Sequence, residues 1–301
     1  MQEQALNLLL SNQNRDGGWG AVGGKQSNTE VTALGALALR SAGADAAAID
    51  KAQSWLSQRQ QADGSWPLND SVKGASWATA LALIALSELP AQGARALKAG
   101  NWLLQQAGGK PGLLANVILF VTRQKRAVRL NQDLIGWPWT AGNFSWVEPT
   151  SYCMIGLKKL KQKLPAEPFQ ERIGQAELMI YDRMCAGGGW NYGNAEVYDE
   201  QLWPYPDTTA LALIATQDRR QRHENQISLR TLHELALKTD SGLAIAWASI
   251  CFAVYGQDNS AFKNALAQRF AKSQFLGENK ALALALLALG DGARYFQVEG
   301  K

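Results

Sequence analysis

Hydrophobic and polar residues form two kinds of helical segment along the chain. In one kind, apolar residues recur every three to four positions and charged residues occupy the opposite side, which predicts helices that cover a core. In the other kind, small and apolar residues surround the segment, which predicts fully buried helices. The covering segments are 2–12, 47–60, 92–106, 167–184, 224–237 and 259–273, and the buried segments are 29–41, 74–89, 148–161, 206–217, 240–256 and 278–290.

The strict alternation of the two kinds predicts six helical hairpins. An open stack of hairpins would leave two bare ends that need polar caps, whereas the last segment, 278–290, stays apolar to its end. We therefore predict an all-α fold, an (α/α)6 barrel or toroid, with six inner helices inside six outer ones. The 301 residues predict a single domain over 1–301, with an insertion at about 107–135 where the pattern is interrupted.

A glycine-rich turn that carries a tryptophan precedes several of the buried segments. Internal repetition of this kind is typical of arrays of equivalent structural units, so we expect the turns to be equivalent and to lie at one end of the barrel. Three copies have Gly17, Gly64 and Gly188 two residues before Trp19, Trp66 and Trp190, followed by Thr32, Thr79 and Thr209; Gln13 and Gln60 precede two of them, and Thr150 after Trp139 is a degenerate fourth copy.

The segment from Lys51 to Leu56, together with Gln60, Gly64 and Trp66, resembles the QW repeat of squalene and other triterpene cyclases. Protein prenyltransferase β subunits carry related repeats, and the copies here extend over nearly the whole chain. The resemblance implies a terpenoid cyclase/prenyltransferase-like barrel. It also implies structural roles for the repeat residues: glutamine side chains would meet helix ends, and tryptophans would stack on their neighbours.

The resemblance also offers a candidate catalytic residue. Squalene-hopene-type cyclases use an Asp-x-Asp-Asp-Thr-Ala segment whose middle aspartate donates a proton, and alignment through Thr209 places Asp207 there. The other two aspartates are replaced by Tyr205 and Thr208, and the second barrel domain of those cyclases has no counterpart. The sequence thus leaves open whether the protein is an enzyme; if it is, the resemblance implies a class II terpene cyclase-like isomerase or lyase.

The repeat register places further residues beside Asp207. Glu30 and Glu148 stand two residues before Thr32 and Thr150, and Trp77 is the equivalent residue of the second buried segment. If the inner helices are parallel, these positions lie at one mouth of a central cavity. Such acids either stabilise helix N-termini, by about 0.3–1 kcal/mol each, or form an acidic cluster that acts on a ligand. The aromatic candidates for the same mouth are Trp146, Tyr152, Trp203 and Tyr205.

Composition narrows the other possibilities. A net charge of +4 without a basic stripe predicts no nucleic-acid partner. His223 and His233 do not pair with cysteines at ligand spacing, so we predict no metal, and the lack of phosphate-binding or dinucleotide motifs predicts no cofactor. Three cysteines, the lack of a signal peptide and the lack of a spanning segment predict a cytoplasmic protein.

The insertion holds an apolar run, Leu113 to Val121, followed by basic residues up to Arg129. Residues 113–129 either form an amphipathic contact with a membrane surface or pack on the barrel. Three functions remain open. The first is binding of an apolar isoprenoid-type small molecule or lipid in the central cavity of the barrel, with proton-initiated cyclisation as the candidate reaction. The second is a non-catalytic toroid that binds a protein or a lipid, and the third is a carbohydrate-active enzyme with two carboxylates.

Overall fold

The computed structural model describes residues 1–88, 93–109, 130–163 and 167–298. These residues form twelve α-helices, joined by turns, and one hairpin of two-residue strands. The helices are α1 (Gln2–Ser11), α2 (Thr29–Ser41), α3 (Ala46–Arg59), α4 (Ser76–Ser87), α5 (Gly93–Gln105), α6 (Val147–Lys163), α7 (Glu167–Asp182), α8 (Pro206–Ala215), α9 (His223–Lys238), α10 (Gly242–Val254), α11 (Ser260–Ser273) and α12 (Asn279–Leu289); the strands are β1 (Glu196–Val197) and β2 (Glu200–Gln201).

The even-numbered helices form a closed inner ring. Each packs against the preceding and the following inner helix, and α12 returns to pack against α2. The odd-numbered helices lie outside: α3, α5, α7, α9 and α11 each pack on the inner helix that precedes them in the chain, and α1 packs on α12. The predicted (α/α)6 barrel is therefore confirmed, and the predicted helices end within a few residues of the observed ones.

Composition explains why the inner helices lie inside. In α4, for example, all twelve residues are buried, and they are mainly alanine and leucine. Alanine lets neighbouring helices approach closely, and leucine fills the spaces between them. In α1, by contrast, the buried residues are Ala5 and Leu9, four positions apart on one face.

The repeat tryptophans form hydrogen bonds that connect each turn to the two helices beside it. Their rings are fully buried, and each indole N–H donates to a carbonyl near the end of the preceding outer helix. Each backbone N–H donates to a threonine hydroxyl of the next inner helix, so one residue holds both elements. The indole bonds are Trp19–Leu9 (2.7 Å), Trp66–Leu56 (2.7 Å) and Trp190–Ile180 (2.6 Å), and the backbone bonds are Trp19–Thr32 (3.0 Å), Trp66–Thr79 (3.0 Å) and Trp190–Thr209 (2.9 Å).

The fourth turn corrects the sequence alignment. Trp137, not Trp139, holds the repeat position, because its indole N–H donates to the carbonyl of Leu103 (2.9 Å) and its backbone N–H to Oγ1 of Thr150 (2.8 Å). Trp139 instead packs edge-on against Trp77, with ring centroids 4.8 Å apart. Thr150 follows Trp137 by thirteen positions, the same spacing as that between Trp19 and Thr32.

The glycines two residues before the repeat tryptophans occupy equivalent turns, as predicted. Gly17, Gly64 and Gly188 have φ angles of 93°, 97° and 87°, in the left-handed region that favours glycine. An added Cβ would lie 2.7 Å from the Lys51 carbonyl oxygen at Gly17, and 2.4 Å from that of Lys98 at Gly64. Both contacts are to the next outer helix. The turns thus need glycine for conformation and for space.

Two glutamines join neighbouring hairpins at these turns. Nε2 of Gln13 donates to the carbonyl oxygens of Gly17 and Ala48, each at 2.9 Å. Nε2 of Gln60 likewise donates to Gly64 (3.1 Å) and Arg95 (3.0 Å). In both cases the second acceptor lies in the first turn of the next outer helix.

The last described residues cross the opposite end of the barrel. A short 3-10 helix, Gly292–Tyr295, follows α12 and leads into Phe296, which is fully buried. The Gln217 side chain, just after α8, donates to the Phe296 carbonyl (3.0 Å) and accepts from the backbone N–H of Val298 (3.0 Å). The C-terminal segment therefore packs against the C-terminal ends of the inner helices.

Part of the predicted insertion lies outside the described residues. Residues 113–129, for which we predicted either a membrane contact or packing on the barrel, belong to that part, and this prediction stays open. Over the ranges that the structure does describe, no helix combines the length and apolar character that crossing a membrane requires.

Candidate functional site

The N-termini of the six inner helices meet at one end of the barrel, which we call the mouth. The second residue of each helix holds the same position there, because the helices are parallel and start at the same level. We call these six residues the mouth ring: Glu30, Trp77, Glu148, Asp207, Leu243 and Lys280. Three carboxylates, one ammonium group and two apolar residues thus surround the barrel axis.

Glu30 and Lys280 form an ion pair across the contact between α2 and α12. Oε1 of Glu30 lies 2.7 Å from Nζ of Lys280, and the two side chains are only 16% and 19% exposed. Burial lowers the pKa of Lys280, but the carboxylates of Glu30 and Glu148 outweigh it and hold the net pKa above the usual range. Lys280 therefore stays charged and neutralises one of the three acids.

Glu148 differs from an ordinary surface glutamate. Burial raises its pKa, and the carboxylates of Glu30 and Asp207 raise it further, while Lys280 opposes them; the result is about 7. Near neutral pH this carboxyl therefore holds its proton about half of the time. A carboxylic acid with such a pKa can both give and take a proton at physiological pH.

A layer of buried side chains lies one helical turn below the mouth ring and forms its floor. Residues four positions further along a helix lie on the same face, and here they are at most 1% exposed. They are Leu34, Leu81, Tyr152, Leu211, Trp247 and Leu284. A ligand of the mouth would thus lie above this floor rather than deep in the barrel.

Two aromatic residues dominate the floor. The rings of Tyr152 and Trp247 meet edge to face with centroids 6.0 Å apart, although α8 separates their helices in the ring. Burial raises the pKa of Tyr152 well above its usual value, and Glu148, Glu30 and Asp207 add to the effect. The Tyr152 hydroxyl has no hydrogen-bond partner among the described residues, so it can donate to a group that arrives at the mouth.

Further aromatic rings border the mouth. Trp77 lies edge-on to Trp139, and its indole N–H finds no acceptor in the described part of the chain. Tyr192 and Tyr205 lie with centroids 5.1 Å apart and are 47% and 46% exposed. Burial raises the pKa of Tyr192, and Asp207 and then Glu148 raise it further, which places this phenol near the acids.

Comparisons with known proteins identify the fold. No protein-family model and no curated protein sequence matches the chain. Among solved structures, MstE, a type II terpene cyclase from Scytonema in complex with geranylgeranyl dihydroxybenzoate, matches with a TM-score of 0.60 and 16% identity over 98% of this chain and 97% of that one.

The fold is a terpene cyclase-like toroid.

Sugar-cleaving enzymes share this toroid. An α-amylase from Clostridium perfringens matches with a TM-score of 0.65 and 12% identity over 96% of this chain and 97% of that one. An inactive variant of an α-1,6-mannanase of Salegentibacter, in complex with α-1,6-mannotriose, matches with a TM-score of 0.59 and 12% identity over 96% of this chain and 99% of that one. At these identities the likeness shows the fold alone.

Most of the residues singled out in the sequence occupy the mouth of the toroid. Glu30, Trp77, Glu148 and Asp207 belong to the mouth ring, Tyr152 to the floor and Tyr205 to the border. Two lie outside the ring, the floor and the border. Trp203 is 82% exposed on the surface, and Trp146 lines a separate cavity of about 240 Å³ together with Leu134 and Phe144.

Four further residues of the mouth were not predicted from the sequence, namely Lys280, Tyr192, Trp139 and Trp247. Lys280 carries a usable signal, because it is a charged residue in the first turn of the last buried segment, as Glu30 is in the first turn of the first. The other three carry none, since their positions depend on how separate segments come together. Within the described ranges, no group of three or more histidine, cysteine, aspartate or glutamate side chains is arranged to hold a metal ion.

Proposed function

We propose that the mouth binds an isoprenoid-type amphiphile and that Glu148 protonates it to start a cyclisation. The observation that carries the proposal is the place of Glu148, a carboxyl whose pKa is raised to about 7, above an apolar and aromatic floor. A proton donor must be protonated at its working pH and must lie where its substrate can reach it. The partly exposed mouth meets the second requirement.

The surroundings of Glu148 fit the chemistry of a cation. Protonation of an alkene leaves a carbocation, and the faces of aromatic rings such as Trp77 and Tyr152 attract positive charge. The carboxylate of Asp207 lies in the same ring and attracts it as well, whereas the charge of Glu30 is neutralised by Lys280. The buried floor keeps water away from one side of the ligand.

The reaction balances without a cofactor. The Glu148 carboxyl gives its proton to one carbon of an alkene, and the π electrons form the new C–H bond. A second alkene attacks the resulting carbocation and closes a ring. Loss of a proton to a carboxylate of the mouth, for which Asp207 is the candidate, ends the sequence, so the product is an isomer of the substrate.

The size of the chain is compatible with this proposal. The squalene-hopene-type cyclases that the repeat resembles use a second barrel domain, which argued against cyclisation by one barrel. However, this chain spans 97% of a protein described as a type II terpene cyclase. One barrel of this size therefore suffices for such an enzyme, and the objection loses its force.

Incubation in D₂O with geranylgeranyl dihydroxybenzoate tests the proposal. A cyclic isomer of the substrate in which one carbon-bound hydrogen is replaced by deuterium is expected, because the donor exchanges its proton with solvent. Glu148→Gln should abolish turnover while binding persists, since the amide keeps the shape but has no acidic proton. If Asp207→Asn abolishes turnover and Glu148→Gln does not, the donor is Asp207. If wild type neither binds nor converts prenylated compounds, the proposal fails.

A second candidate is glycoside hydrolysis, which one specific observation favours. Glu148 and Asp207 hold equivalent positions on the adjacent helices α6 and α8, and Asp207 helps to raise the pKa of Glu148. A protonated carboxylic acid beside a second carboxylate is the arrangement that glycosidases use. The exposed rings of Tyr192 and Tyr205 could stack on sugars. Release of reducing sugar from α-1,6-mannan or starch by wild type, but not by Glu148→Gln, would favour this candidate.

A further inference from the structure

Three aromatic rings connect the C-terminal segment to the floor of the mouth. The rings of Phe296 and Trp247 meet edge to face with centroids 5.2 Å apart, and the rings of Trp247 and Tyr152 meet at 6.0 Å. All three residues are 0% exposed. We call them the ring column, because they extend from the far end of the barrel to the layer beneath the mouth ring.

Both ends of the ring column are fixed. At the far end, the Gln217 side chain donates to the Phe296 carbonyl and accepts from the N–H of Val298. At the mouth, Tyr152 follows Glu148 by four residues on α6, so the two side chains lie on one face of that helix. The ring contacts therefore connect Phe296 to Glu148 through Trp247 and Tyr152.

We infer that Phe296 is a positioning residue: it holds Trp247 and Tyr152 against the mouth and so keeps water from the underside of the Glu148 carboxyl. Interiors are close-packed, so a void beneath Trp247 lets this ring and the one above it move. Tyr152 would then no longer seal the floor. The inference deepens the proposed role of Glu148 as a proton donor and rests on that role for its functional meaning.

The charged groups around Glu148 lie on three other inner helices. Glu30 on α2, Asp207 on α8 and Lys280 on α12 act on it directly, and the phenols of Tyr152 and Tyr192 lie near the same acids. The mouth-ring residues of α4 and α10 are the uncharged Trp77 and Leu243. Replacing Phe296 changes none of these charges, so its effect on Glu148 must come from hydration and packing.

The test is a titration of the Glu148 side chain by NMR in protein labelled with ¹³C at the glutamate carboxyls. Glu148→Gln identifies the resonance by its disappearance. In wild type we expect a midpoint of about 7. In Phe296→Ala we expect it to fall by about one pH unit, because burial is the largest cause of the raised pKa and water now reaches the carboxyl.

Phe262→Ala is the matched control. Phe262 is also 0% exposed and packs against Phe252 with centroids 4.9 Å apart, but it does not belong to the ring column. It should lower the thermal midpoint of unfolding and leave the Glu148 titration at the wild-type value. An unchanged titration in Phe296→Ala, or an equal shift in Phe262→Ala, overturns the inference.

Milder variants keep the test decisive if Phe296→Ala does not fold. Phe296→Leu should lower the Glu148 midpoint by less than alanine does, and Trp247→Phe should lower it by interrupting the column at its centre. If neither changes the midpoint, the inference is wrong. The titration needs no substrate, so it can fail while Glu148→Gln still abolishes turnover, and it can succeed when no substrate is converted.

Discussion

Replacing Glu148 by glutamine should change the pH dependence of stability in a defined direction. The pKa is about 7 in the folded chain and 4.5 for an unperturbed glutamate. The folded chain therefore binds this proton more tightly than the unfolded chain does. It follows from linkage that wild type loses stability as pH rises from 4.5 to about 7, and that the loss is complete above 7.

The magnitude follows from the same two values. At about 1.4 kcal/mol per pH unit, the interval corresponds to about 3 kcal/mol. Water at the partly open mouth screens the charge, so we expect about 2 kcal/mol. Glu148→Gln cannot ionise and lacks this loss. Its free energy of unfolding, relative to wild type, should thus increase between pH 4.5 and 7 and then level off.

Urea unfolding followed by tryptophan fluorescence, from about pH 4.5 to about pH 8.5, measures the difference in free energy of unfolding between wild type and Glu148→Gln. Subtracting one curve from the other cancels the groups that titrate identically in both. Glu3→Gln, at an exposed position of α1, is the control for removal of a carboxyl from the surface. A difference that stays flat, or a wild type that gains stability over this interval relative to the glutamine variant, would refute our reasoning about Glu148.

Three further predictions concern the turns and the mouth. Gly64→Ala should lower the free energy of unfolding by more than about 2 kcal/mol, because φ is 97° and the new Cβ would lie 2.4 Å from a carbonyl oxygen of the next outer helix. Gly43→Ala, where no atom lies within 4 Å of the new Cβ, should lower it by about 1 kcal/mol. Urea unfolding compares the two variants. Thr79→Val removes the acceptor of the buried backbone N–H of Trp66 and should lower the free energy of unfolding by about 1–3 kcal/mol. Thr208→Val should be nearly neutral, since the Thr208 hydroxyl has no partner among the described residues. Lys280→Met should raise the pKa of Glu148 above 7, because Lys280 lowers it in wild type. A fall in the NMR midpoint of Glu148 would contradict this.

The sequence predicts the fold well because each inner helix is apolar on all sides. Alanine- and leucine-rich segments such as α4 have few alternatives to a buried helix, and their ends were located to within a few residues. The fourth turn was misaligned because Trp137 and Trp139 lie two residues apart and only one donates to Thr150. Two copies share a spacing of thirteen residues, but Trp190 and Thr209 are nineteen apart, which hides the rule.

The mouth was predicted only in part, and the reason is physical. Threonines in register with one another identified Glu30, Glu148 and Asp207, but α12 has no such threonine, so Lys280 was not found. The raised pKa of Glu148 results from burial and from the carboxylates of two other inner helices, against the opposing effect of Lys280, and no local pattern records these contacts. The resemblance to cyclases pointed to Asp207 as the proton donor, whereas the structure favours Glu148, whose pKa is raised.

The contact between α2 and α12 joins the two ends of the described sequence. During synthesis α2 leaves the ribosome before α12, so the face of α2 that receives α12 stays uncovered until the residues between the two helices and α12 itself have been made. The same holds for α10, whose other neighbour in the ring is also α12. Nascent chains that stop before Asn279 therefore expose two apolar helix faces, and such faces promote aggregation and chaperone binding. The barrel can close only after translation has delivered its last inner helix.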